Sequence, residues 1–189
     1  MVPAVAAIGG LMWGMAAGAF PSQFTVSGQQ FKVSASELRG EGFMQIPGWD
    51  TNAQGENIPV ARSVIDSAEL DDLCQSVAIP ENVIGLLFPG IDTIVLRIEA
   101  GGGGEPATAR DLVIGMDELS GNATFTNIEI GNDAGSISGQ PLLTGQFGQR
   151  ADRVVITDLQ QTAYSTSAGT FTLNGLHLEV RVDDGGECF

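Results

Sequence analysis

The chain has 189 residues, with 23 acidic side chains against 8 basic ones, and a net charge of −15. A nucleic-acid-binding protein needs a basic surface to displace counterions from phosphate, so this charge argues against nucleic acid as a partner. The 26 glycines and the aromatic content of only 6% favour a β-rich, turn-rich domain over a helical one.

The first predicted element is an uncharged apolar segment, residues 1–20. About twenty apolar residues, each rising about 1.5 Å, span a hydrocarbon core of about 30 Å, so we predict one N-terminal transmembrane helix that anchors the chain in the cell membrane. Gly10, Gly14 and Gly18 lie four residues apart, a spacing that lets two helices pack closely. We therefore expect this helix to contact another copy of the chain or other membrane subunits.

A secretory signal peptide is the alternative for the same segment, because Ala17 and Ala19 provide the small residues of a cleavage site after Ala19. Signal peptides normally begin with basic residues, and the first cation here is Lys32, which leaves open whether Met1 is the native start. Both alternatives place residues 21–189 on the extracytoplasmic side.

The remaining residues, 21–189, are enough for one compact domain and too few for two ordinary ones. Apolar and polar residues alternate in several short runs, a period typical of strands with one buried face. The runs are residues 24–26, 31–33, 94–98, 123–130, 154–156 and 170–180. The one helix-like stretch, 80–87, is short and ends at a Pro-Gly turn, so we predict an all-β domain with a connector there.

Residues 24–100 and 109–182 show an internal duplication. The segment that begins at Leu70 and ends at Ser76 resembles the one that begins at Ile156 and ends at Thr162, and two other short elements recur in the same order. Two copies with one apolar face each favour a β-sandwich of two facing sheets. Chance β-patterning is the alternative, because the matching segments are short.

The two cysteines, Cys74 and Cys188, suit one bridge. If the domain lies outside the cytoplasm, we predict a Cys74–Cys188 disulfide that fixes the C-terminal tail. Neither cysteine has a neighbouring cation or histidine in the sequence to activate its thiol, which argues against a catalytic role.

No catalytic, metal or cofactor motif is complete in this sequence. The segment from Gly135 to Gly139 fails as a nucleophile elbow because its centre is Ile137 and not serine. The single histidine, His177, lies on a predicted strand beside Glu179, with Leu178 and its neighbours expected to face inward. We therefore predict no catalytic residues, no metal and no cofactor, and keep an esterase that uses His177 only as the least favoured alternative.

Trp49 follows Pro47 and Gly48, which favours a loop tip. A tryptophan there would meet lipid headgroups or a partner protein, and packing against the rim of the domain is the alternative.

Several segments together resemble an uncharacterised family of exported or membrane-anchored actinobacterial proteins, some of which carry an automatic cholesterol-esterase label. They are residues 24–28, 31–33, 73–76, 123–128, 161–163, 166–171, 176–178 and 187–188. The resemblance covers nearly the whole chain, including both cysteines, and implies an extracytoplasmic location. It implies no activity, because the serine elbow of an esterase is absent from this sequence.

These observations predict a non-enzymatic, membrane-anchored cell-envelope protein that acts as a structural or accessory subunit of a membrane or surface assembly. The main alternative is binding of a lipid or sterol in a cavity between the β layers, lined by residues such as Phe31, Ile114 and Phe171.

Overall fold

The structure is a computed structural model that describes residues 26–182 and 185–189. The predicted anchor, residues 1–20 with Gly10, Gly14 and Gly18, lies outside these described residues. No helix in the described part has the length and apolarity needed to cross a bilayer.

The described residues form nine strands, two short α-helices and one 3-10 helix. In chain order the elements are β1 (Phe31–Thr51), β2 (Asn57–Asp71), β3 (Leu73–Pro80), α1 (Glu81–Ile84), β4 (Thr93–Ala100), β5 (Ala107–Thr126), β6 (Glu129–Asp133), α2 (Ala134–Ser138), the 3-10 helix (Pro141–Leu143), β7 (Phe147–Ser167), β8 (Thr170–Thr172) and β9 (His177–Val182). The prediction of an all-β domain is therefore confirmed.

All nine strands belong to one sheet, and four of its strands close into a ring. Strand β1 pairs with β2, β2 with β5, β5 with β7, and β7 with the second edge of β1, each time antiparallel. The prediction of two separate facing sheets is therefore wrong. Pairing of β7 with both β5 and β1 joins the two halves of the chain into one sheet.

The ring is strongly staggered. One path of directly paired residues around it runs Pro47, Ala61, Met116, Ala163 and Phe31. The path starts and ends on β1, 47 − 31 = 16 residues apart along that strand. Stagger and tilt are linked in a closed sheet, so the four strands coil steeply and must be long, from 15 to 21 residues each.

The main apolar core comes from buried side chains of all four ring strands. Phe43 and Phe125 contact each other there, with ring centroids 5.3 Å apart. Gly40 lies where strands approach so closely that a Cβ would come within 2.8 Å of Ile65 and 3.0 Å of Val154. The packing of the coiled strands therefore leaves no room for a side chain at Gly40.

A three-stranded extension, which we call the flap, leaves the ring at Asp72. There the chain turns with a positive φ of 50°, a conformation that aspartate tolerates better than most residues. The flap consists of β3, β4 and β9, with β4 paired to both β3 and β9. Strand β9 forms one border of the whole sheet, and β6 forms the other.

The two segments of the predicted duplication form two long hairpins with different registers. Leu38 pairs with Leu70 in the first hairpin, whereas their sequence counterparts Leu119 and Ile156 pair with other residues, Gln161 and Ala123. Asp72 and its counterpart Asp158 share a positive φ, 50° and 53°. A common origin of the two hairpins stays a prediction.

Cys74 and Cys188 form the disulfide that the sequence predicted, across 114 residues. It holds the C-terminal tail against the outer face of the flap. The Cys188 amide donates to Ser76 Oγ at 3.0 Å, and Lys32 Nζ contacts Glu187 Oε2 at 2.9 Å. The tail therefore covers one face of the flap, and within residues 26–182 and 185–189 the other face has no such cover.

We expect the Cys74→Ser/Cys188→Ser double variant to lose about 4–5 kcal/mol of unfolding free energy, because the bridge closes a very long loop. Urea unfolding in mild detergent, followed by circular dichroism, measures this loss. Ser76→Ala is the control, since it removes only the hydrogen bond to the tail and should cost about 1 kcal/mol. Equal losses in the two proteins would contradict a stabilising role for the bridge.

Candidate functional site

The open face of the flap is an array of aliphatic side chains. Residues paired directly across antiparallel strands share a face, so the flap pairs define three rows on this side. The rows are Ile79–Ile94–Val182, Val77–Leu96–Val180 and Gln75–Ile98–Leu178. We call the eight aliphatic residues of these rows the flap face.

Side chains of the flap face are accessible to solvent among the described residues. On β9 the exposed fractions are 54% for Leu178, 61% for Val180 and 52% for Val182, and the β3 and β4 members are half-buried. The prediction that the Leu178 side of this strand faces inward is therefore wrong. In the part of the chain that the structure describes, no second layer lies over it.

The flap face is continuous with the core at its base. Val33 of the buried core pairs with Gln75, and Leu73 pairs with Ala100, both of them buried. The same apolar side of the sheet thus runs from inside the ring onto the flap, where the ring strands no longer enclose it.

The connection between β3 and β4 extends this apolar surface. It exposes four large apolar side chains, which we call the flap tip: Val83, Leu86, Leu87 and Phe88. Two turns of backbone hydrogen bonds order the connection, from Gly85 to Glu81 and from Phe88 to Ile84. Residues 83–91 carry no charge.

The outer face of the flap has the opposite character, because charged side chains two residues apart on the same strand form ion pairs there. Arg97 contacts Glu99 at 2.5 Å, and Arg181 contacts Glu179 at 2.5 Å. The Arg181 guanidinium lowers the pKa of the Glu179 carboxyl, since it stabilises the charged form. The flap is therefore amphipathic, with one aliphatic and one ion-paired face.

His177 lies on this outer face and shares it with Glu179, at 3.9 Å between Nε2 and Oε2. Glu99, His177 and Glu179 could bring three ligand atoms within 4.8 Å of one another. Both carboxylates are already paired with arginines, so a metal would have to displace two ion pairs, and we assign no site there. Among the described residues, no serine or threonine hydroxyl contacts His177 in a hydrogen bond.

The segment that superficially resembled a nucleophile elbow forms the short helix α2. Asp133 caps it by accepting from the Ser136 amide, and the Ser136 hydroxyl also donates to Asp133. Gly139 ends the helix with a φ of 68°. Ser136 thus stabilises a helix end.

Trp49 lies within β1, paired with Pro59, and is half-buried. Its predicted position at a loop tip is wrong, because the strand continues past Pro47 and Gly48 to Thr51. The Trp49 carbonyl accepts from Arg62 Nη2 at 3.1 Å.

Beside Trp49 lies a buried polar cluster that was not predicted from the sequence. Arg62 and Asp50 are fully buried and contact each other at 2.6 Å. The Ser165 hydroxyl donates to Asp50 and accepts from Arg62, so β1, β2 and β7 are joined. Burial lowers the pKa of the Arg62 guanidinium, and Asp50 opposes this effect. On β5, Gly115 makes room for the cluster, since a Cβ there would lie 2.5 Å from Ser165 Oγ.

The cleft at the position predicted for a bound sterol is very small. Ile114 and Phe171 line an apolar cleft of about 20 Å³, whereas Phe31 lines a different, open cleft beside Tyr164. Pockets for ligands of that size measure about 300–1,000 Å³. The cleft lined by Ile114 and Phe171 is therefore far too small for such a ligand.

A polar cleft of about 540 Å³ lies outside the ring, with Arg39, Arg110 and Arg153 in its lining. Arg39 contacts Glu69 at 3.2 Å, and Arg153 contacts Glu41 at 2.7 Å. Carboxylates of the same cleft thus offset most of its positive charge, and it offers no concentrated field for an anion.

Comparison with known proteins gives a family but no activity. Residues 27–189 match the family of unknown function DUF6230, and the chain belongs to that family. No curated protein matches the chain, and no solved structure matches it.

We expect Arg62→Met to cost about 3–5 kcal/mol of unfolding free energy, because it deprives the buried Asp50 carboxylate of its guanidinium. The double variant Arg62→Met/Asp50→Leu should lose less than the single variant. Urea unfolding measures the unfolding free energy of the parent protein and of both variants. The control is Arg153→Met at an exposed ion pair, with an expected loss of at most about 1 kcal/mol. Equal stability of Arg62→Met and Arg153→Met would contradict a structural role for the cluster.

Proposed function

We propose that this member of a family of unknown function is a non-enzymatic, membrane-anchored protein of the cell envelope. It acts as a structural or accessory subunit of a membrane or surface assembly. Residues 1–20 hold it in the cell membrane, and the β domain lies on the extracytoplasmic side.

The observation that carries this proposal is the exposed flap face. Contiguous apolar surface on a soluble domain is costly in water and marks sites that contact another protein or a membrane. Here eight aliphatic residues on three strands share one side, without a charged residue among them. A surface of this kind fits attachment better than catalysis.

Two further features support an extracytoplasmic assembly protein. The Cys74–Cys188 disulfide suits an oxidising compartment, and the net charge of −15 keeps the domain soluble outside its apolar face. The ring fixes the flap at its base through Val33 and Gln75, so the face is presented by a packed scaffold.

Alternative functions have less support. An esterase needs a nucleophile near His177, which instead lies beside Glu179 on an ion-paired surface. A sterol-binding protein needs an enclosed volume that Ile114 and Phe171 do not provide. Lipid contact at the flap face needs no enclosed cavity, and it would use the same surface as the assembly function.

We expect the flap face to be covered in the native envelope and accessible in the purified protein. Val180→Cys introduces a thiol at the centre of β9. We expect maleimide to label this thiol at least about tenfold more slowly in native membranes than in the purified protein. A factor of ten corresponds to about 1.4 kcal/mol of free energy that favours the covered state. Quantitative gel-shift labelling measures the two rates.

The matched control is Ile130→Cys on β6, because Ile130 is similarly exposed, at 67%, and lies at the other border of the sheet. It should label at the same rate in both preparations. Equal rates for Val180→Cys in membranes and in purified protein would remove the flap face as an attachment surface.

A further inference from the structure

We propose that the flap face and the flap tip rest on the lipid bilayer itself. This inference rests on the membrane attachment proposed above and names the partner of the same surface. It makes the flap a second membrane contact of the chain.

The size of the flap face favours a bilayer over a protein partner. With strands about 4.8 Å apart and rows about 6.8 Å apart, a grid of three by three residues covers about 300 Å². A stable protein interface needs about 800 Å² per partner, with matched shape. A bilayer needs neither, because its acyl chains adapt to any apolar contour and membrane anchoring already holds the two surfaces together.

The flap tip has the character of a segment that enters an interface. Leu86 and Leu87 are 95% and 74% exposed, and Phe88 lies next to them. Residues 83–91 carry no charge, so the tip can enter the headgroup region without burying a charged side chain. Glu81 and Asp92 flank this stretch and keep the ends of the connection in water.

The described chain begins beside the end of β1, where the Val26 amide donates to the Thr51 carbonyl at 2.8 Å. Val26 lines an open cleft together with Gln75, the polar corner of the flap rows. Residues 21–25 separate Val26 from the predicted anchor, and five residues reach at most about 17 Å. The same distance separates Gln75 from the end of β3 at Pro80, about 17 Å along the strand. Attachment through residues 1–20 would therefore keep the flap within reach of the bilayer.

Charge predicts which lipids the flap prefers. The ion pairs of Arg97 and Arg181 and the C-terminal tail lie on the opposite side of the flap, where they face water when the flap face meets lipid. The net charge of −15 repels anionic headgroups. We therefore expect contact with zwitterionic phosphatidylcholine and weaker contact with phosphatidylglycerol.

The test uses the full chain reconstituted into phosphatidylcholine vesicles with brominated acyl chains, which quench tryptophan at short range. The parent protein contains Trp13 in the predicted anchor and Trp49 in β1. Leu87→Trp adds a third tryptophan at the flap tip. We expect the added emission to be blue-shifted and mostly lost in brominated vesicles.

The matched control is Leu142→Trp, at an equally exposed leucine (78%) in the 3-10 helix that follows α2. Its added emission should stay red-shifted and unquenched. Leu86→Trp is a second tip variant, which keeps the test valid if Leu87→Trp fails to fold.

Each outcome has one meaning. Quenching in the parent and at the tip, but not at Leu142→Trp, supports the inference. Quenching of the parent without any loss at either tip variant overturns it and leaves the anchor intact, and quenching of tip and control alike overturns it as unspecific adsorption. An unquenched parent with unquenched tip variants means that residues 1–20 do not enter lipid either, so the proposed membrane attachment fails together with the inference.

Discussion

Closure of the four-stranded ring is the constraint on which the rest of the structure depends. Because β7 pairs with both β5 and β1, a circuit of the ring returns to β1 sixteen residues from its start. This stagger requires long, steeply coiled strands and brings side chains from the two halves of the chain into one core. Gly40 and Gly115 lie where the coil leaves no room for a side chain.

The flap is a direct consequence of this closure. Strand β5 pairs with β2 only as far as Leu70, and the chain turns at Asp72 into β3, which pairs with β4 instead. The apolar side of the sheet therefore leaves the enclosed ring and continues into the open. The disulfide and the C-terminal tail cover the opposite side, so the flap is amphipathic, and among the described residues no second layer covers its apolar face.

Sequence reasoning could predict the strand class and the bridge, because alternation and a single cysteine pair are local or countable signals. It could not predict closure of the ring, because β1 and β7 are far apart in the sequence and neither strand alone indicates that they pair. For the same reason the exposed flap face was not predicted. Leu178 alternates like a buried strand residue, and only the pairing with Ile98 and the absence of a covering strand among the described residues show that it is exposed. Arg62 was detectable only as a lone cation within an apolar run, which does not reveal its partner Asp50.

The ring and the flap have different roles in this account. The closed sheet is the scaffold, and its apolar extension is the surface that contacts the membrane. Hydrogen exchange of the full chain in phosphatidylcholine vesicles, compared between the parent and a Leu86→Asp/Leu87→Asp variant, tests these roles most directly. The account predicts faster exchange in the variant at residues 81–92 and 177–182, with the four ring strands unchanged. Identical exchange of the two proteins over the flap would contradict it.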